Sequence, residues 1–541
     1  MDTATDPSTD HRSHDADRAT GDHGAAVVVG TGPVTPAAVV AVARDGAPVV
    51  LAPEARSAIG SAREVVELLA AGDVPAYGVS TGFGALATRH IPVAQRAQLQ
   101  RSLVRSHAAG SGPEVEVEVT RALMLLRLST LATGRTGVRL ETAELLAALL
   151  THRITPVVHE HGSLGCSGDL APLSHCALAL MGEGPVRDAE GVLRPAAEAL
   201  AAAGLRPVEL AEKEGLALIN GTDGMLGMLV MAIADLRRLL RTADVAAAMS
   251  VEGQLGTDRV FAAALQALRP HPGQGASAAN LVALLADSPL MASHRGPECH
   301  RVQDAYSLRC SPQVHGAARD TVDHAARVAE VELASAVDNP VVLGDTVESN
   351  GNFHGAPVAY VLDFLAIVAA DVASISERRT DRFLDRARSH GLPPFLAHDP
   401  GVDSGLMIAQ YTQAAIVSEL KRLAAPASVD SIPSSAMQED HVSMGWGAAR
   451  KLRRAVDGLT RVVAIEVMTA ARALDLRSTT GDTAGLAPSP ATGAVVRLLR
   501  EHGLDGPGPD RHLAPEIEVA VGLVASGAVV AAAESVTGAL R

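Results

Sequence analysis

The sequence predicts a mainly α protein, a bundle of long helices preceded by a smaller N-terminal domain with short strands. Three observations carry this expectation. Beyond Thr222 the chain is a succession of Ala/Leu/Val patterns at helical period, over 225–249, 314–338, 356–387, 405–425, 440–476 and 515–540. Aromatic residues make up 2% of the 541 and apolar residues 47%, so the core must be built from Ala, Leu and Val, which suits close-packed helices better than a sandwich. No repeat at a fixed period of roughly 20–50 residues is apparent, which argues against a solenoid and for nearly parallel helices around a shared core. Residues 1–23 read as an acidic tail, 24–221 as the N-terminal domain and 222–541 as the bundle.

Taken in order, the tail holds six Asp, two Arg, three His and almost nothing apolar. It buries too little surface to offset its ordering entropy and is expected to be disordered, with His11, His14 and His23 solvated rather than metal-bound. From Ala25 a β-branched run gives way to a turn, and Thr35 followed by Pro36 is an N-cap with proline at the first helical position. Ser61 and Glu64 read as a capping box ahead of V65-V-E-L-L-A, with Gly72 closing that helix. The segment PAYGVSTGFGALAT is too rich in Gly and Ser for anything but loop. After Pro113, EVEVEVT alternates like a strand but runs into R121-A-L-M-L-L-R-L-S. Proline followed by acids is a helix-start signal, so a helix is expected there.

A net charge of −15 and a pI near 5.7 argue against nucleic acid or an anionic membrane as partner. Cys166, Cys176, Cys299 and Cys310 show no CxxC spacing, so neither a disulfide framework nor a zinc site is indicated, and a reducing cytoplasm is the expected compartment. No stretch is expected to span a bilayer.

The stretch that demands a chemical reading is H161-G-S-L-G-C-S-G-D-L-A-P-L-S-H175. Read blandly it is a turn, because Gly, Ser and Asp disfavour helix. It also gathers a hydroxyl, a thiol, an acid and two histidines. A hydrolase elbow requires G-x-S-x-G, and here the second glycine falls one place early. A Cys166 nucleophile with His175 as base has nothing to fix its geometry. The third reading is backbone cyclisation: the amide nitrogen of Gly168 attacks the carbonyl of residue 166, and Ser167 loses water to leave an exposed methylene.

GSLGCSGDLAPLSH closely resembles the signature of the aromatic amino-acid ammonia-lyases, in which Ala-Ser-Gly becomes a 4-methylidene-imidazol-5-one (MIO) group. Cys166 stands where Ala is usual, and since only its carbonyl enters the ring, cyclisation is expected to survive the change. The resemblance runs from about Val27 to the last residues. It implies the aspartase/fumarase-like ammonia-lyase architecture with the MIO loop on the N-terminal domain, an autocatalytic MIO from Cys166, Ser167 and Gly168, no external cofactor or metal, and a homotetramer of dihedral symmetry with shared sites.

Ammonia elimination needs an electrophile, a base for an unactivated β-proton, and a carboxylate clamp. Tyr77, in the glycine-rich string Y-G-V-S-T-G-F-G, resembles the family's proposed base; blandly it is a packed loop aromatic. In Q303-D-A-Y-S-L-R309, Gln303, Tyr306 and Arg309 are spaced by three and share a face of a helical turn. By resemblance Arg309 binds the substrate carboxylate, a task suited to a planar guanidinium, and Gln303 and Tyr306 line the reactive group. Asn220 in L-I-N-G-T resembles the residue that bonds the MIO carbonyl or substrate, and Phe353 one that packs near the substrate ring. His107 and Glu439 fall at the family's ring-recognition positions. Relatives acting on phenylalanine typically have an apolar residue at the first and Asn-Gln at 438 and 439, whereas a histidine with an acid suits an imidazole. The expected reaction is L-histidine to trans-urocanate and ammonia. A tyrosine- or phenylalanine-directed lyase or an aminomutase is the nearest alternative, and a non-catalytic helical scaffold the alternative of a different kind.

Overall fold

Strand β1 (Val27–Val29) leads through a turn to α1 (Pro36–Val40), where the Thr35 side chain accepts from the Ala38 amide at 3.1 Å and Pro36 opens the helix. The chain returns as β2 (Val49–Leu51), parallel to β1. The structure, a computed structural model, describes residues 25–72, 78–82, 89–166, 168–296 and 302–541. The expected tail, Tyr77, Ser167 and Cys299 lie outside them. Helix α2 (Pro53–Ala71) corrects the capping-box expectation: Pro53 starts it after an extended Ala52, so Ser61 and Glu64 lie within the helix. Gly72 does close it.

Next come α3 (Val93–His107), β3 (Ser111–Glu114), α4 (Val117–Ala132), α5 (Leu140–Thr151), β4 (Thr155–Pro156) and β5 (His159–His161). The helix expected directly after Pro113 begins only at Val117. Pro113 and Glu114 instead end β3, which pairs antiparallel with β5, and Val115 and Glu116 link it to α4, where Val117 is exposed and Val119 buried. Helix α6 (Leu170–Leu180) follows the reactive stretch, then β6 (Pro185–Arg187), β7 (Leu193–Pro195), α7 (Ala196–Ala202) and α8 (Glu214–Ile219), with β4, β6 and β7 forming one antiparallel sheet.

The bundle opens with α9 (Asp223–Gly253). After the short α10 (Ala263–Gln266), α11 (Pro272–Leu284), α12 (Pro289–Ala292) and α13 (Tyr306–Arg309) come α14 (Ser311–Leu333), the hairpin of β8 (Val341–Leu343) and β9 (Thr346–Glu348), and α15 (Ala356–Leu384). The chain ends with α16 (Met407–Leu423), α17 (Gly445–Thr479), α18 (Pro490–Glu501), α19 (Ala514–Ser526) and α20 (Ala528–Thr537). The segment expected as one helix over 515–540 is two, bent by 60° at Gly527, whose φ of +85° ends α19 in a left-handed cap.

Helices α9, α15 and α17 are the pillars. Alanines such as Ala247, Ala369 and Ala470 are fully buried and let the backbones approach. A buried polar knot ties the three together: Arg379 of α15 donates to Glu466 of α17 at 2.8 Å, while Ser250 of α9 and Ser376 of α15 donate to the same carboxylate at 2.7 and 2.6 Å. Removing one member strands a charge, so the knot fixes register more than it adds net stability. The 214–253 stretch and α15 are long and apolar enough to cross a membrane, but 100% and 67% of their most apolar segments are buried inside the protein.

Candidate active site

The reactive stretch is gripped where the three pillars begin. Asp169, fully buried, accepts from the first-turn amides of α9, Gly224 at 2.8 Å and Met225 at 3.0 Å, and from the Ser163 hydroxyl at 2.9 Å. The Gly165 carbonyl accepts from the Gly355 amide at the cap of α15 (3.1 Å) and from Ser443 Oγ (2.7 Å), and Met444, which caps α17, donates its amide to the Leu164 carbonyl at 2.8 Å. Three helix N-termini, each carrying partial positive charge, therefore converge on one loop. Burial pushes the Asp169 carboxyl up to about 7, with Asp223 adding to the rise and the three donors opposing it.

The loop conformation requires glycine at two places. Gly165 has φ +70°, and a Cβ there would lie 2.7 Å from the Gly445 amide nitrogen. Gly168 has φ +81°, and a Cβ would overlap the backbone of Gly221, whose carbonyl accepts from the Asp169 amide at 2.7 Å. Beside it Asn220 is buried: its Nδ2 donates to the Asn339 carbonyl at 2.8 Å, while its Oδ1 has no partner among the described residues.

The two residues expected to recognise the substrate ring arrive from separate elements. His107 is the last residue of α3; its Nδ1 lies 2.9 Å from the Leu103 carbonyl and 3.0 Å from Ser106 Oγ. Donation to Leu103 requires Nδ1–H, so in the neutral ring Nε2 is left as an acceptor. Burial lowers the His107 pKa below its ordinary value, against the Leu103 carbonyl and the Glu439 charge. Glu439 sits on the loop before α17, pinned by backbone pairing with Ser434 (2.8 and 3.3 Å), and its Oε2 accepts from Ser434 Oγ at 3.0 Å and from Cys166 Sγ at 3.7 Å. Burial and the neighbouring carboxylate push the Cys166 thiol up to about 12. Phe353, half-buried, lies two residues before the Gly355 amide that holds the loop.

The structure thus brings Cys166, Gly168, Asn220, His107, Glu439 and the Phe353 loop to one end of the bundle. Gln303, Tyr306 and Arg309 do form a unit, but not on a shared helical face: Gln303 precedes α13, and Arg309 Nη2 donates to its Oε1 at 2.8 Å while the guanidinium lies 4.8 Å from the Tyr306 ring centroid. This unit stands at the other end of the pillars. Ser307 accepts from Arg379, 23 residues into α15, and neighbouring Asp304 accepts from the Thr257 amide beyond the end of α9, so roughly 35–45 Å separates it from the loop in the same chain. Tyr306 is 71% exposed.

Sequence reasoning named Asp169 only as part of a motif and missed Gly221, Gly355, Ser443 and Ser434. For the first three the signal was there: N-G-T-D-G, F-H-G-A-P and S-M-G-W-G each place glycine at the start of a long helical pattern.

Comparison with known proteins identifies the family. The sequence model of the family described as aromatic amino acid lyase matches residues 34–501. A histidine ammonia-lyase of Streptomyces avermitilis is 67% identical over 95% of this chain and 99% of that protein. Among solved structures, a histidine ammonia-lyase from Trypanosoma cruzi superposes with a TM-score of 0.85 at 36% identity, covering 94% of this chain and 95% of that one. A tyrosine aminomutase from Streptomyces globisporus gives 0.89 at 38% identity, covering 95% and 100%. With a glycine-framed Cys-Ser-Gly loop held at the starts of three long helices and a family match spanning most of its length, this chain belongs to the aromatic amino acid lyases.

Proposed function

We propose that this chain eliminates ammonia from L-histidine to give trans-urocanate, using an MIO group formed from Cys166, Ser167 and Gly168. The observation that carries the substrate is the meeting of His107 and Glu439 beside Cys166, an acceptor nitrogen and a carboxylate that suit the two N–H groups of a protonated imidazole and would be left unpaired by a phenyl ring. The identity of 67% to a histidine ammonia-lyase supports the same reading.

The loop fits the group it is expected to carry. Gly168 already has the left-handed backbone and close packing that only a residue without Cβ tolerates. Once formed, the ring supplies an electrophile that no ordinary side chain offers. The chain's own residues do the rest. His107 and Glu439 hold the imidazole, Phe353 packs near it, and Arg309 forms a bidentate pair with the carboxylate while Gln303 and Tyr306 line the site. Tyr77 removes the β-proton; a phenol does so near neutral pH only if nearby positive charge lowers its pKa.

Arg309 is too far from Cys166 of its own chain to share a substrate with it, so each site takes Gln303, Tyr306 and Arg309 from another subunit. That supports a homotetramer of dihedral symmetry. Tyr360, Phe364 and Ile367 form an exposed stripe on α15, and Ile408 and Tyr411 are exposed on the adjoining α16. Such a surface needs a partner in water. We place the tetramer in the cytoplasm.

The test is incubation with L-histidine while urocanate is followed by ultraviolet absorbance, with L-tyrosine and L-phenylalanine run beside it. Urocanate from histidine in clear preference to cinnamate products supports the proposal. Its absence, or a β-amino acid as the main product, overturns it.

A further inference from the structure

The ring at the reactive loop uses only the carbonyl of residue 166, which leaves that residue's side chain available for another task. In this chain the side chain is a buried thiol, 6% exposed, on a backbone held firmly on its N-terminal side by the Gly165 contacts to Ser443 and Gly355. Its sulfur donates to Oε2 of Glu439, 273 residues away in sequence, and the same oxygen accepts from Ser434 Oγ. The carboxylate is thus aimed by one donor from its own loop and one from the reactive loop. An alanine at 166 would present a methyl group to a charged oxygen and remove the donor that the reactive loop supplies.

We infer that Cys166 is a positioning residue for substrate recognition: its S–H fixes the Glu439 carboxylate against the imidazole, so the residue that begins the reactive tripeptide also sets the distance between electrophile and ring. The inference rests on the histidine reading above. A neutral thiol is required for donation, and the environment keeps it neutral at working pH. An S–H group is a weak donor, so the effect belongs at the low end of what a bond to a charged acceptor contributes.

Two measurements test it. In Cys166→Ala the KM for L-histidine is expected to rise about tenfold with kcat within about twofold, and Cys166→Ser, which restores a donor, is expected to bring KM back to within about threefold of the parent. In the ligand-free protein, difference infrared spectroscopy of parent against Cys166→Ala isolates the S–H stretch of this thiol; it should lie at the low frequency of a hydrogen-bonded thiol and move upward in Glu439→Gln. An unchanged KM in Cys166→Ala, a loss confined to kcat, failure of serine to rescue, or an S–H band indifferent to Glu439 each overturns the inference. Histidine turnover by the parent is the separate control: if it is absent the substrate reading falls, and the infrared arm still decides whether the thiol holds the carboxylate.

Discussion

Replacing Gly168 with alanine tests the loop geometry and the ring chemistry together. A non-glycine residue at φ +81° costs about 1–2 kcal/mol. The added methyl meets the Gly221 backbone rather than a yielding side chain, so the loop must move, at roughly 1–3 kcal/mol for an overpacked site. Movement also weakens the 2.7 Å bond from the Asp169 amide to the Gly221 carbonyl, which places residue 168 for attack on the carbonyl of residue 166. We expect a loss of about 2–5 kcal/mol in unfolding free energy, an uncyclised tripeptide and no turnover, with helical circular dichroism retained. Gly60→Ala is the control: it lies inside α2 with open space around it, and should gain about 0.5–1 kcal/mol. Denaturant titration of both variants, with turnover measured on the same samples, is the assay. A Gly168→Ala protein as stable and active as its parent would refute the packing argument and the role given to Gly168.

Ser167→Ala should abolish turnover with the fold intact, because no hydroxyl remains to leave as water; full activity would remove the MIO assignment. Glu439→Gln should lower kcat/KM for histidine about thirtyfold or more, and with His107→Phe should shift preference toward phenylalanine, read from kcat/KM for both substrates. The pKa of Asp169 is raised in the fold, so its protonated form is favoured there, and stability from this group is fully present below the unfolded value near 3.8 and lost as pH rises toward about 7. The melting temperature of the parent relative to Asp169→Asn should therefore fall between those limits and level off above them; an unchanging difference would show that Asp169 stays ionised throughout. Phe364→Glu on the exposed α15 stripe should dissociate the assembly and abolish activity, seen by light scattering with turnover, since a separated chain lacks Arg309 near its own Cys166.

Much of this was legible in the sequence, for identifiable reasons. Thr35 and Pro36 specified a helix start by local chemistry alone, and the pillars announced themselves through apolar period. Ser61 with Glu64 misled because a capping box is a local pattern, and Pro53 had already started the helix. Gly527 was overlooked as a stop because apolar residues continue on both sides of it. At the site, residue types were readable while distances were not. Nothing in Q-D-A-Y-S-L-R reveals that Arg309 folds to the far end of α15 from the loop of Cys166, since that follows from the directions of α9 and α15. Nor does the sequence place Cys166 against Glu439, a contact between residues 273 apart in the chain.

The most direct test of the central claim is the mass of the tryptic peptide 154–187, bounded by Arg153 and Arg187, from the freshly purified protein. If Cys166, Ser167 and Gly168 form the electrophile, the peptide is lighter than its sequence by two water molecules, with the deficit confined to the tripeptide. A peptide of unmodified mass, in a preparation that converts histidine to urocanate, would contradict the account.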